Sequence, residues 1–81
     1  MDTLRTFLNS KSLNDQGEFA RKCGTSIGYL RKAISIGQRL SEALAMAIER
    51  HSNGAVTVEE LRPDLMEHWA YIRGTSKREA A

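Results

Sequence analysis

The chain has 81 residues, 41% of them hydrophobic and 27% charged, and a formal net charge of +2. That length holds one domain with one modest core, whose stability depends on tight packing or on a partner. The single cysteine, Cys23, excludes an internal disulfide. No apolar run approaches the ~20 residues of a membrane span and no signal peptide is present, so a cytoplasmic protein without membrane contact is expected. One proline and a helix-forming composition predict an all-α fold of about five short helices.

Leu4, Phe7 and Leu8 stand at i, i+3 and i+4, which predicts a first helix over Asp2 to Asn9 with those three on its buried face. Ser10 to Leu13 reads as a polar connection that Leu13 anchors to the core. Asn14 or Asp15 caps the next helix, with Glu18 three residues after Asp15 as the capping-box partner. Phe19, Ala20 and Cys23 share one face of that helix, and Gly24 follows where a helix ends. Cys23 thus reads as a small core residue rather than a nucleophile. Ser26 stands at an N-cap position. Tyr29, Leu30, Ala33 and Ile34 then give a helix from about Ile27 to Ser35 its apolar face. Ala20 is small enough for the two helices to approach closely, and the link between them allows only a sharp corner. This is helix-turn-helix geometry.

Ile36 to Leu40 reads as a loop, with Gly37 ending the preceding helix. Ser41 caps a helix to about His51, with Glu42 in its first turn where the dipole favours an acid. Leu44, Ala45, Ile48 and Ala47 form its apolar stripe, and Met46 faces either way. Asn53–Gly54 ends it. Thr57 and Glu60 form a capping box that opens a short helix through Leu61, and Pro63 stops it. Val56, Val58, Leu61 and Leu65 are expected to pack on the core. Asp64 to Ile72 could be helical, with Leu65, Trp69 and Ile72 on one stripe. Two readings are open for Met66, Trp69 and Tyr71: they cover the core, or they form a dimer surface. Gly74 to Ala81 reads as a disordered polar tail, which leaves residues 1–73 as the domain.

Charge is unevenly spread. Residues 1–40 carry seven cations and three acids; residues 41–81 carry five cations and seven acids. From Phe19 to Ser41 there are five cations (Arg21, Lys22, Arg31, Lys32, Arg39) and no acid. Basic charge concentrated on two such helices points to contact with nucleic-acid phosphates. The same stretch resembles the helix-turn-helix of the lambda-repressor-like superfamily. Gln16 stands at its usual first-position Gln, Phe19–Ala20 at its apolar–Ala pair, Gly24 at its turn Gly, and Leu30 and Ala33 at inward positions. Thr25 departs from its usual Val or Ile, and Ala33 is smaller than usual. Over Leu4 to Arg73 the chain is similar to the YdaS/Cro-like family of prophage-encoded regulators, through CGTSIGYLRKAI, the IER of Ile48–Arg50 and NGAVTVEELRPDL. The resemblance implies a sequence-specific transcriptional regulator, of repressor or antitoxin type, that binds double-stranded operator DNA as a homodimer.

In that fold the N-terminal residues of the second helix meet base edges in the major groove. The outward positions here are Ser26, Ile27, Gly28, Arg31, Lys32 and Ser35. Arg31 and Lys32 suit guanine O6 and N7 or phosphates. Ile27 reads either as a contact to a thymine methyl or as a partly buried shoulder. Gly28 lets a DNA backbone approach. Tyr29 reads as core, with its hydroxyl near a phosphate. Gln38 and Arg39 fall beside the groove edge, and Gln16 completes the expected DNA-binding set. Gly17 costs its helix about 1 kcal/mol relative to alanine, which calls for close approach of either another helix or a DNA backbone. The other function classes fare worse. A helix-turn-helix module that binds a partner protein instead of DNA is the alternative, and the cations around Arg21 to Arg39 argue against it. For an enzyme, no phosphate-binding Gly loop, paired carboxylates or nucleophile–base pair is found. His51 and His68 lie far apart with no cysteine pair, so neither a metal nor any other cofactor is expected.

Overall fold

Hydroxyl side chains decide where four of the helices begin. The computed structural model describes residues 1–74. Over them the chain folds as α1 (Asp2–Asn9), α2 (Leu13–Lys22), α3 (Ile27–Ile36), α4 (Glu42–His51), α5 (Val58–Leu61), a 3-10 turn (Pro63–Leu65) and α6 (Met66–Arg73). No strand is present among the described residues. Ser12, Ser26 and Ser41 each accept a backbone N–H from three residues on, at 3.1 Å, at the heads of α2, α3 and α4. Thr57 does the same for α5, and Glu60 Oε1 accepts the Thr57 N–H at 3.2 Å, completing the expected capping box.

The start of α2 corrects the sequence reading. Asn14 and Asp15 lie inside the helix, because Ser12 comes first and takes the Asp15 N–H. The capping box of Asp15 with Glu18 is therefore not formed, and Glu18 pairs instead with Arg21. Leu13 becomes the first helical residue and points away from the core, 85% exposed, so it anchors nothing. Gly17 has no close neighbour either: a Cβ there meets nothing within 4 Å, which removes a helix contact as its reason.

α2 ends as expected. Gly24 has φ of 83°, and the Gly24 and Thr25 N–H groups donate to the Arg21 and Ala20 carbonyls at 2.9 and 3.0 Å. This is a Schellman motif, which left-handed backbone at the glycine makes possible. α3 runs one residue further than expected, through Ile36, and Gly37 closes it at φ of 70°. Ile36 is exposed and Leu40 buried.

Leu4, Leu8, Leu30, Leu40, Ile48, Val56 and Trp69 are the largest fully buried side chains. α3 is central: α1 and α2 both pack on it, α2 also meets α4, and α5 joins α4 to α6. Phe7 and Phe19 meet edge to face at 5.0 Å between ring centroids, tying α1 to α2. Cys23 lies in the same core, and burial pushes its thiol up to about 11.

Of Met66, Trp69 and Tyr71, Trp69 alone covers the core. Trp69 is 1% exposed, and its Nε1–H donates to the Arg62 carbonyl at 2.8 Å. Leu65 is half-buried against the core, whereas Ile72 leaves the expected stripe and is exposed with Met66 and Tyr71. Two arginines fasten this region. Arg62 donates to both Asp64 oxygens and to the Leu40 carbonyl. Arg73 donates to Glu49 on α4 at 2.6 Å and to Glu59 on α5 at 2.6 and 2.8 Å. Gly74, expected to open the tail, is the left-handed cap of α6; the rest of that expected tail lies outside the described residues. No helix of the described residues is long and apolar enough to cross a membrane.

Candidate nucleic-acid interface

The α2–turn–α3 unit sets the geometry. Leu30, Ala33 and Ile34 bury one side of α3, so 3.6-residue periodicity turns Gly28, Lys32 and Ser35 outward, and all three are exposed. Ser26 is exposed at the head of the helix, its hydroxyl oxygen occupied by the Tyr29 N–H. Gly28 leaves the surface open: a Cβ there meets only Ser26 Oγ, at 4.0 Å. Ile27 is half-buried and packs against the core, which is the shoulder arrangement.

Tyr29 departs from the expected apolar face. It is 37% exposed, and its hydroxyl accepts an N–H from Gln38 Nε2 at 2.9 Å. The polar end of the ring needs a partner and finds one just past the helix, so the side chain lies along the surface instead of in the core. Gln38 is thereby held beside α3. Arg39 is exposed and leans the other way, 3.8 Å from Asp64 Oδ2.

Gln16 and Arg31 come together although fifteen residues separate them. Gln16 is 5% exposed. Its Oε1 accepts from Arg31 Nη2 at 2.8 Å, and its Nε2 donates to the Lys11 carbonyl at 3.0 Å. Sequence reasoning had no signal for this bond beyond the polar residue near the start of α2. It also missed Ser12, Arg62 and Arg73, whose partners are set by backbone or tertiary geometry.

The electrostatics divide the molecule. Among the described residues no carboxylate lies within 4.0 Å of Lys22, Arg31 or Lys32, while Arg39, Arg62 and Arg73 all pair with acids. On the paired side, hydrogen bonds from Arg62 hold the Asp64 carboxyl down at about 2, and hydrogen bonds from Arg73 hold Glu49 and Glu59 below the usual carboxylate range. The Thr57 N–H, then the Thr3 hydroxyl, does the same for Glu60. Of the five cations between Phe19 and Ser41, Lys22, Arg31 and Lys32 are thus uncompensated among the described residues, Arg21 and Arg39 pair with Glu18 and Asp64, and Arg62 and Arg73 are spent on structure near α6. Among the described residues no three His, Cys, Asp or Glu side chains gather as a metal ion requires. An open groove of about 320 Å³ lies between α4 and α6, lined by Met46, Arg50, Trp69 and Ile72 among others, with no residue of α2 or α3.

Comparison with known proteins agrees with a regulatory role. The chain is 36% identical over 62 residues to a prophage transcriptional regulatory protein of Escherichia coli (strain K12), an alignment covering 76% of this chain and 94% of the relative. No family model matches the chain, and no solved structure matches it.

Proposed function

The chain belongs to the family of the Escherichia coli prophage transcriptional regulatory protein, and from that premise we propose that it controls transcription by binding an operator sequence with α3 in the DNA major groove. The observation that carries the proposal is the outer side of α3. Gly28, Lys32 and Ser35 are exposed there, and the cations Arg31 and Lys32 are free of acidic neighbours among the described residues.

Regulation on this reading is by occupancy. Phosphate contacts from the basic side chains supply affinity that weakens with salt. Ser26, Gly28, Lys32 and Ser35 front the groove, Ile27 shoulders α3 against the core, and Gln38 and Arg39 flank the edge. Residues 1–73 act as one DNA-binding unit. A second copy, related by a two-fold axis, sets two α3 helices about one DNA turn apart on a palindromic site. We assign the exposed Met66, Tyr71 and Ile72 of α6 to that contact, since Met and aromatic residues are enriched in interfaces. A bound dimer over a promoter excludes polymerase in the Cro manner and needs no catalysis.

The test is a salt titration of binding to two duplexes, the protein's own upstream promoter region and a scrambled version. Tight binding to the promoter, weaker binding to the scrambled duplex and a steep salt slope are expected. Equal weak binding to both reduces the basic side to non-specific attraction. No binding at low salt refutes the DNA reading and leaves a protein-interaction module.

A further inference from the structure

Within the DNA-binding reading, on which this inference rests, we propose that Arg31 clamps a backbone phosphate instead of reading a base, and that Gln16 is the positioning residue that holds it there. Gln16 lies in the first half of α2 and Arg31 midway along α3. The Gln16 amide is buried and engaged at both ends, to Arg31 Nη2 at 2.8 Å and to the Lys11 carbonyl at 3.0 Å. A guanidinium only donates and a carbonyl only accepts, so the amide has a single satisfied orientation. The tether therefore runs from the connection before α2, through α2, to α3.

That tether decides what the guanidinium faces. In a helix-turn-helix the second helix occupies the groove while the first crosses the sugar–phosphate backbone. A guanidinium drawn onto α2 faces the backbone, and its remaining N–H groups form the fork that matches phosphate oxygens. Because the side chain is tethered by this bond before DNA arrives, less ordering is left for binding to impose. On this reading Gln16 does not touch DNA, because its side chain is buried and its amide is engaged with Arg31 and Lys11. Lys32, the next residue on the helix, is exposed and without such a tether, which leaves base edges to it and to its exposed neighbours.

The experiment measures binding by fluorescence anisotropy at several salt concentrations. It uses the promoter duplex and its scrambled counterpart, with the unsubstituted protein, R31A, Q16M, the double variant and Q16E. R31A weakens binding to both duplexes by the same factor and lowers the log–log salt slope by about 0.9, the share of one phosphate. Q16M keeps the volume and every cation, so both affinities fall together by a smaller factor, roughly 3–10-fold, with the slope unchanged. The double variant binds no more weakly than R31A, because the two residues act as one unit. Q16E keeps an acceptor for Arg31 but neutralises it, so its slope falls as in R31A. Loss of promoter binding in R31A with scrambled binding intact overturns the clamp and makes Arg31 a base reader. A Q16M loss that adds in full to that of R31A, or a Q16E slope equal to that of the unsubstituted protein, overturns the positioning role. If the unsubstituted protein binds neither duplex, the DNA reading fails and the clamp with it, an outcome distinct from the others.

Discussion

Replacing Trp69 by alanine tests how the last helix is held. The side chain is 1% exposed and its indole N–H donates to the Arg62 carbonyl at 2.8 Å. Burying a large aromatic removes roughly 150–250 Å² from water, worth about 4–6 kcal/mol at 25 cal/mol per Å². Measured Trp-to-Ala changes in cores cost about 3–5 kcal/mol, and the stranded carbonyl adds about 1 kcal/mol. A chain of 81 residues has only about 4–12 kcal/mol in total. W69A therefore removes about a third or more of the stability, while W69F, which keeps a ring but loses the hydrogen bond, costs about 1–2 kcal/mol. Guanidinium denaturation followed by far-ultraviolet circular dichroism measures both. Trp69 is the sole tryptophan, so its emission in the unsubstituted protein reports directly on α6. A cost below about 1 kcal/mol for W69A would refute the claim that α6 is pinned to the core through this residue.

Two further outcomes follow from the backbone and the ion pairs. Gly24→Ala forces a Cβ into left-handed backbone at φ of 83° with nothing within 4 Å to clash. The cost is conformational, about 1–2 kcal/mol, and a neutral substitution in the same denaturation assay would mean that the turn is not held in that conformation. Acid stability follows the depressed carboxyls: Asp64 falls from 3.8 to about 2 beside Arg62, and Glu49 and Glu59 are lowered by Arg73. Groups lowered in the folded state contribute stability above their unfolded values, and that stability is lost as the pH falls through about 4 toward 2. R73A should flatten this acid limb in a series of melts against pH, and an unchanged limb would remove Glu49 and Glu59 as its source.

Much of this architecture was legible because it is encoded locally. Ser26, Gly24, Gly37, Ser41 and the Thr57–Glu60 pair mark helix ends through chemistry that spans at most a few residues. The spacing of Leu4 and Leu8, and of Ala45 and Ile48, marks buried faces. The errors have equally local causes. Ser12, Asn14 and Asp15 all suit a cap, and only the structure shows that the first of them wins, which turns Leu13 outward. Tyr29 carries both an apolar ring and a hydroxyl, and Gln38 decided which end mattered. The candidate site was legible as a stretch but not as an arrangement. Nothing in the sequence couples Gln16 to Arg31, or Arg73 to Glu49 and Glu59, because those partners meet only after the helices pack.

The corner between α2 and α3 is closed by main-chain hydrogen bonds from Gly24 and Thr25 back to Arg21 and Ala20, and braced by the Arg31–Gln16 bond and the buried faces of both helices. None of these contacts uses the exposed α3 residues Gly28, Lys32 and Ser35. That separates two things evolution would otherwise have to change together. Mutations at Gly28, Lys32 or Ser35 alter what α3 displays, while the way α3 is presented passes unchanged from one variant to the next. On the proposed DNA-binding reading, single substitutions there would change preference while leaving the corner intact.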